Sequence, residues 1–372
     1  MDTTQTTQQT NQTEQKNHRT ALVVGSTGIV GQNLSRRLLD QGWTVLGLSR
    51  GAQVIPGVHG LAADLRDAEA VHRALTVPKV AAVTDLFIAA WIRHDTEAEN
   101  VQVNGALVEN VFAGLASATR LQRVALITGT KHYLGPFESY GQSAAETPFR
   151  EENPRLPGLN FYYTQEDIVF REAARRGFSW TVHRPHSIVG YAVANAMNMG
   201  FTLAVYATLC RETGAPFIFP GSQFQWNALT DVTDARLLAE HLEWAATTPA
   251  ARNQAFNIVN GDVFRWRWLW PQLAAYFGVR PEGPPEGLAP LALRMVAAPA
   301  DWTKIAAKHH LAEPDIHRLV SWWHTDGDLG RTLECVNDMS KSRRLGFLRY
   351  QETPASFFDL FDRLKRERLI PA

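Results

Sequence analysis

Gly25, Gly28 and Gly31 stand three apart in GSTGIVG, directly after the apolar run ALVVG and directly before a helical pattern. Glycine at the first position permits a tight turn. At the second it lets backbone approach a pyrophosphate, and at the third it allows close helix packing; the phosphate then meets N–H groups at the helix start. Thr27, Ile29 and Val30 complete the loop and the first turn. The next strand ends LGLSR, where an NAD site places an acid for the ribose hydroxyls; this chain has Ser49 and Arg50. A guanidinium pairs with a 2′-phosphate that an acid would repel, so the cofactor this pattern favours is NADPH/NADP+. Asp64, after a third short strand, can take an adenine amino group, with Leu65 packed on the ring.

A second group of residues can handle a developing oxyanion. A reductase needs an acid that donates to this oxygen, and tyrosine serves if a cation lowers its pKa from about 10. No Y-x-x-x-K pair follows the fifth strand: Tyr162 is followed four residues on by Glu166, and Tyr163 by Asp167. Lys131, in TGTKHYLGPFE just past that strand, can reach the site from another element. Trp91 and Phe137 can wall a pocket there. Pro185 and the segment through Ile188 and Val189 follow the sixth strand and border the nicotinamide position. Asn104, on a helix stripe, can hold a backbone turn. His309 and His310 are adjacent on a helix and do not point at one ion, so no metal site is expected.

The elements that must position these residues alternate. Strands are expected at 21–25, 43–49, 61–65, 83–90, 123–129 and 179–185, with helices at 30–41, 68–75, 97–119 and 160–175 between them. Six strands joined by crossovers make an α/β doubly wound parallel sheet, a Rossmann fold. Beyond Pro185 the pattern changes. Helices are expected at 201–213, 229–247, 264–278 and 354–368, short strands at 215–221 and 254–261, and a loop at 281–290. The expected division is a disordered tail at 1–18, a dinucleotide-binding core at 19–185, and a smaller substrate-binding lobe at 186–372. Segments near 225–260 of that lobe return to the core.

Composition excludes several classes. The 372 residues carry 37 Lys and Arg against 37 Asp and Glu, so no basic footprint for nucleic acid exists at this level. With only Cys210 and Cys335, a disulfide framework is not expected and a reducing cytoplasm fits. The first eighteen residues contain no aliphatic residue after Met1 and cannot form a signal peptide's apolar core. The run FTLAVYATLC is half the length a membrane span requires. Several of the eleven tryptophans fall in the last third and imply bulky packing in the second lobe.

Three strings, GSTGIVG at 25–31, TGTKHYLGPFE at 128–138 and NFYYTQED at 160–167, resemble the progesterone 5β-reductase / iridoid synthase family, an atypical branch of the extended short-chain dehydrogenases/reductases. AAWIRHDTEAEN, HRPHSIVGY and MSKSRRLGF extend the likeness across residues 20–372. The resemblance implies an NADPH-dependent enzyme that adds hydride to the activated C=C bond of an enone or enal. It implies Lys131 and Tyr163 as the catalytic pair, with Tyr163 stabilising the enolate oxygen and Lys131 keeping it acidic and binding the nicotinamide ribose. Tyr162 is expected to line the substrate pocket and position the helix rather than react; it and ordered water become the first candidate donors only if Tyr163 proves inessential. The family builds its substrate pocket where Tyr191, Met197, Met199, Phe201 and Tyr206 lie here, and their bulk fits a small apolar enone or enal. ANAMNMG departs from the plant pattern, so the substrate itself does not transfer.

Other readings stay open. The same fold serves carbonyl reductases, alcohol dehydrogenases and nucleotide-sugar epimerases, although the lobe shows no basic pair dedicated to a sugar diphosphate. A non-catalytic NADP(H)-sensing protein would often lose Lys131 or Tyr163, and both are present. Monomer and homodimer are equally compatible with the neutral net charge, with the helices near 97–119 and 160–175 the surfaces for pairing.

Overall fold

The computed structural model describes residues 19–51, 55–140, 142, 146–195, 197–287 and 289–372; the tail expected at 1–18 lies outside the described residues. Seven parallel strands form one sheet: β1 (Thr20–Val24), β2 (Thr44–Ser49), β3 (His59–Ala62), β4 (Asp85–Ile88), β5 (Arg123–Ile127), β6 (Ser179–Pro185) and, after three two-residue strands, β10 (Gln254–Ile258). Their order is β10-β6-β5-β4-β1-β2-β3. β1 and β4 are buried along their whole length, as helices on both faces require of a central parallel strand. The order reverses between β1 and β4, so a crevice opens where these two strands end, the place such sheets bind ligands.

Helices α1 (Ile29–Asp40), α2 (Ala68–Leu75), α3 (Glu97–Gly114), α4 (Lys131–Leu134) and α5 (Phe161–Arg176) connect these strands. α3 packs between α2 and α5 on one face of the sheet. There Val108, Val111 and Phe112 meet Leu22, Leu86 and Val124 in one apolar cluster. After α6 (Met199–Thr213) and α7 (Gln223–Asn227), α8 (Ala235–Thr247) packs on α1 against the opposite face. The segment through α8 and β10 thus adds a helix and an edge strand to the sheet begun 200 residues earlier.

The region expected as the second lobe contains α6, α7, α9 (Trp266–Phe277), α10 (Leu291–Arg294), α11 (Ala298–His309) and α12 (Trp322–Leu329), followed by α13 (Ser340–Arg344) and α14 (Thr353–Arg366). Trp266, Trp270 and Trp302 are fully buried in its core, and Trp270 stacks on Phe217 at 3.9 Å. These three tryptophans therefore serve packing, as the composition implied, whereas Trp268 and Trp323 are exposed. The pairs β7 (Ile188–Val189) with β9 (Thr233–Asp234), and β8 (Phe217–Ile218) with β11 (Pro281–Glu282), are two residues each.

Three expectations shift. The third strand spans 59–62 rather than 61–65, because its register follows Leu46–Ser49 of β2. The helix expected from 229 begins at Ala235, where the Asp234 carboxylate accepts from the Arg236 N–H and caps it. The loop at 281–290 opens with β11, which Phe217 and Phe219 recruit through backbone hydrogen bonds to Arg280 and Glu282.

Candidate active site

Gly25 ends β1 with φ +83°, and a Cβ there would lie 2.8 Å from the Ala89 carbonyl oxygen at the end of β4. Gly31 packs so closely that its Cβ would lie 2.2 Å from the Gly25 carbonyl oxygen. Gly28 caps α1 with no side-chain hydrogen bond, and the first turn carries no acid. A helix start without a side-chain cap or an acid fits a phosphate. Thr27 is half-buried, whereas Ile29 and Val30 bury their side chains in the core and can offer a ligand only backbone.

At the end of β2, the Ser49 hydroxyl donates to the Gly51 carbonyl and Arg50 is exposed. Asp64 is held by Arg66 through a forked contact, Nη2 to Oδ2 at 2.6 Å and Nε to Oδ1 at 3.1 Å. That hydrogen bonding pulls the Asp64 carboxyl down to about 2. Arg66 is a second cation beside Arg50 that motif reading passed over; only its place two residues after the acid signalled it. Leu65 is half-buried, and its carbonyl accepts from Asn110 at 2.8 Å.

Four elements converge past the ends of β4, β5 and β6. Asn104 of α3 accepts from the Ile92 N–H and donates to the Ile92 carbonyl, both at 2.8 Å. One turn earlier Asn100 does the same for His94, at 2.8 and 3.2 Å. These amides fix the loop that carries Trp91, which stacks on Phe161 at 5.1 Å and on Phe137 at 6.3 Å. Lys131 is buried, with Nζ 2.7 Å from Glu97 Oε1 and 5.1 Å from the ring centres of both Phe137 and Phe161. Burial lowers its pKa, against the opposing pull of Glu97 and Glu138.

The two tyrosines separate. The Tyr163 hydroxyl donates to the His132 carbonyl at 2.6 Å and accepts from the Leu156 N–H at 3.0 Å, so both its roles are taken by backbone. Its ring lies under the Arg155 guanidinium and edge-on to His132, beside buried Glu166. Burial would raise the Glu166 carboxyl, but His132, Arg184 and Arg155 hold it at about 2. In this structure Lys131 pairs with Glu97 and not with Tyr163, and burial raises the Tyr163 phenol. The Tyr162 hydroxyl makes no hydrogen bond among the described residues. A Cβ on Gly129 would lie 3.1 Å from it and 3.3 Å from the Pro185 carbonyl oxygen, so it stands between the ends of β5 and β6. Burial, then the Glu97 carboxylate, raises its pKa and keeps the phenol protonated.

The remaining candidates lie apart from this cluster. Ile188 and Val189 pair with Thr233 and Asp234, and Val189 joins the second lobe's core. Met199 and Tyr206 are likewise buried in that core. The Tyr206 hydroxyl is occupied by the Ile218 carbonyl and by Arg294 at 2.7 Å, and its ring packs on Phe217. Both were expected in the pocket; both lie on α6, which is buried along its whole length from Met199 to Cys210. Glu97, Phe161 and Tyr140, which packs on Phe137, were not foreseen, although Glu97 lay within a string that carried the family likeness. Among the described residues no group of three or more His, Cys, Asp or Glu could hold a metal ion, and no helix is long and apolar enough to cross a membrane.

The fold is a Rossmann fold shared with solved epimerases. Solved structures similar in fold include a UDP-glucose 4-epimerase of Thermotoga maritima, with TM-score 0.65 and 12% identity over 93% of this chain and 99% of that one. An epimerase of Methanothermobacter thermautotrophicus aligns with TM-score 0.66 and 14% identity, covering 94% and 93%. The family is closer: residues 22–371 match the PRISE-like Rossmann-fold domain. An (S)-8-oxocitronellyl enol synthase of Nepeta cataria is 37% identical over 367 residues, covering 94% of this chain and 93% of its own. A 3-oxo-Delta(4,5)-steroid 5-beta-reductase of Arabidopsis thaliana is 36% identical over 363 residues, with the same coverage. The chain belongs to the PRISE-like family and is a reductase-type enzyme, as the three strings implied.

Proposed function

We propose that this enzyme uses NADPH to add hydride to the C=C bond of a small apolar enone or enal, with Tyr162 rather than Tyr163 donating to the enolate oxygen. The observation that carries the reading is the Tyr162 hydroxyl, which makes no hydrogen bond among the described residues and lies beside Gly129, just past the end of β5. Two relatives support the substrate class. One is named for an enol product, and the other for a steroid whose 3-oxo group is conjugated with a 4,5 double bond. Trp91, Phe137 and Phe161 offer an apolar wall.

The bound cofactor would supply the hydride. Gly25, Gly28 and the first turn of α1 would hold its pyrophosphate, Arg50 and Arg66 its 2′-phosphate, and Lys131 its nicotinamide ribose. Negative charge grows on the substrate carbonyl oxygen as the β-carbon is reduced, and a preorganised neutral O–H stabilises it without reorganising. A phenol with a raised pKa remains that donor across neutral pH. The Lys131 ammonium, bordering the same Phe161 ring, adds positive charge to the site.

Product analysis with deuterated NADPH tests the reading. Deuterium at the β-carbon of the saturated carbonyl product is expected. Deuterium at a carbinol carbon would replace alkene reduction with carbonyl reduction.

A further inference from the structure

We propose that Glu97 is a positioning residue of this site: its buried carboxylate keeps the Lys131 ammonium charged and fastened to the amino end of α5, from which Tyr162 projects. The inference rests on the reductase reading above for its catalytic consequence, but the ion pair can be measured without it.

Glu97 is the first residue of α3 and is 3% exposed. Its Oε1 accepts from Lys131 Nζ at 2.7 Å and from the Phe161 N–H at 2.8 Å. One oxygen thus joins the starts of α3, α4 and α5. The Glu97 N–H in turn donates to Glu138 Oε1 at 2.5 Å, which ties in the turn after α4. Glu97 Oε2 is buried with no partner, an unusual state for a carboxylate oxygen in an element-joining role. The groups facing Lys131 are Glu97 from α3, Glu138 from the turn after α4, and the rings of Phe137 and Phe161. Tyr162 faces Glu97, with Tyr140 nearby.

An ammonium in such apolar company loses its proton unless a carboxylate compensates for the lost water. Glu138 is too exposed to replace Glu97 in that role. Without the Glu97 charge, burial would act on Lys131 unopposed by its nearest carboxylate, and its ammonium would give up its proton at lower pH.

Glu97→Gln keeps the acceptor for the Phe161 N–H and removes the charge. The probe is the 13Cε resonance of Lys131 in lysine-labelled protein, assigned by its absence in Lys131→Met. In Glu97→Gln its titration should move down by about one pH unit or more. Single-turnover enone reduction should then gain an alkaline limb at that same lower pH and recover toward the wild-type rate below it. Glu97→Asp, which retains the charge, should restore most of the titration. An unmoved Lys131 titration with a rate profile parallel to wild type overturns the proposal. If the wild type itself reduced no enone, the reductase reading would fail while the lysine titration still scored the ion pair. If Glu97→Gln does not fold, combining it with Lys131→Met should restore folding, because the cost lies in an unpaired buried ammonium. A double variant as unstable as the single one overturns the proposal.

Discussion

At the residue scale, the cofactor side depends on two cations beside one acid. Asp64 occupies Arg66 on one edge, and Arg50 lies exposed at the end of β2. Each charge-assisted contact to a 2′-phosphate is worth about 1.5–3 kcal/mol. Arg50→Ala should therefore weaken NADPH binding roughly 10–100-fold and leave NADH nearly unchanged. Titrating both variants, Arg50→Ala and Arg66→Ala, with both cofactors checks this, and equal wild-type affinity for the two cofactors contradicts it. The family likeness singled out Lys131, and the close packing of Gly25 and Gly31 was legible from type and spacing. The choice between Tyr162 and Tyr163 was not. Neighbours on a helix point about 100° apart, so the Tyr163 hydroxyl meets backbone while the Tyr162 hydroxyl lies by Gly129. The rotation of α5 that decides between them is set at its start. Asn160 accepts from the Tyr162 N–H at 3.1 Å and donates to the Lys131 carbonyl at 3.2 Å. A motif string carries no such phase.

At the element scale, α3 is the scaffold of the site. Its Asn100 and Asn104 side chains satisfy the backbone of His94 and Ile92, and its first residue is Glu97. Asn104→Ala would leave a half-buried N–H and C=O of Ile92 without their protein partner, at a cost of roughly 1–3 kcal/mol. Urea denaturation should register that loss, and hydride transfer should slow because Trp91 is no longer fixed; unchanged stability would contradict the role. Asn104 was recognisable as a turn holder because it fell on the buried stripe of a helical pattern. The strands β8 and β11 were less legible. A two-residue strand has no period to detect, and Pro281 opens β11 inside a segment whose composition reads as loop. The strand at 254–258 was visible as a strand, but its place beside β6 follows from a pairing over seventy residues distant.

At the scale of the whole molecule, buried histidines tie the late segments to the sheet. His183 of β6 meets His241 of α8 at 3.0 Å, and His241 meets Ser342 of α13 at 3.0 Å. Burial holds His183 at about 3, and burial with His183 beside it pushes His241 well down. Both rings are neutral when folded and bind a proton when unfolded below about pH 6.5. The unfolded chain then holds more protons, so stability falls as pH drops from about 6.5 toward 3. His186 runs the other way. Burial and Arg331 oppose its charge, but its hydrogen bond to Asp231, with Cys335 adjoining, raises it to about 9. Its contribution is complete below about pH 6.5 and is lost as pH rises through about 9. Urea midpoints should therefore peak near neutral pH and fall on both sides; a flat response between pH 5 and 9 would contradict this.

The most direct measurement of the central claim compares Tyr162→Phe with Tyr163→Phe in single-turnover hydride transfer at saturating NADPH and enone. Each change removes one hydroxyl and keeps the ring. Tyr162→Phe should slow transfer roughly 10²–10⁴-fold with cofactor binding intact, the scale of a positioned acid. Tyr163→Phe should instead lower stability by about 1–3 kcal/mol, through the unpaired Leu156 N–H and His132 carbonyl, and leave the rate of the folded enzyme within a few-fold. The reverse pattern, with full activity in Tyr162→Phe and a large loss in Tyr163→Phe, would contradict the account.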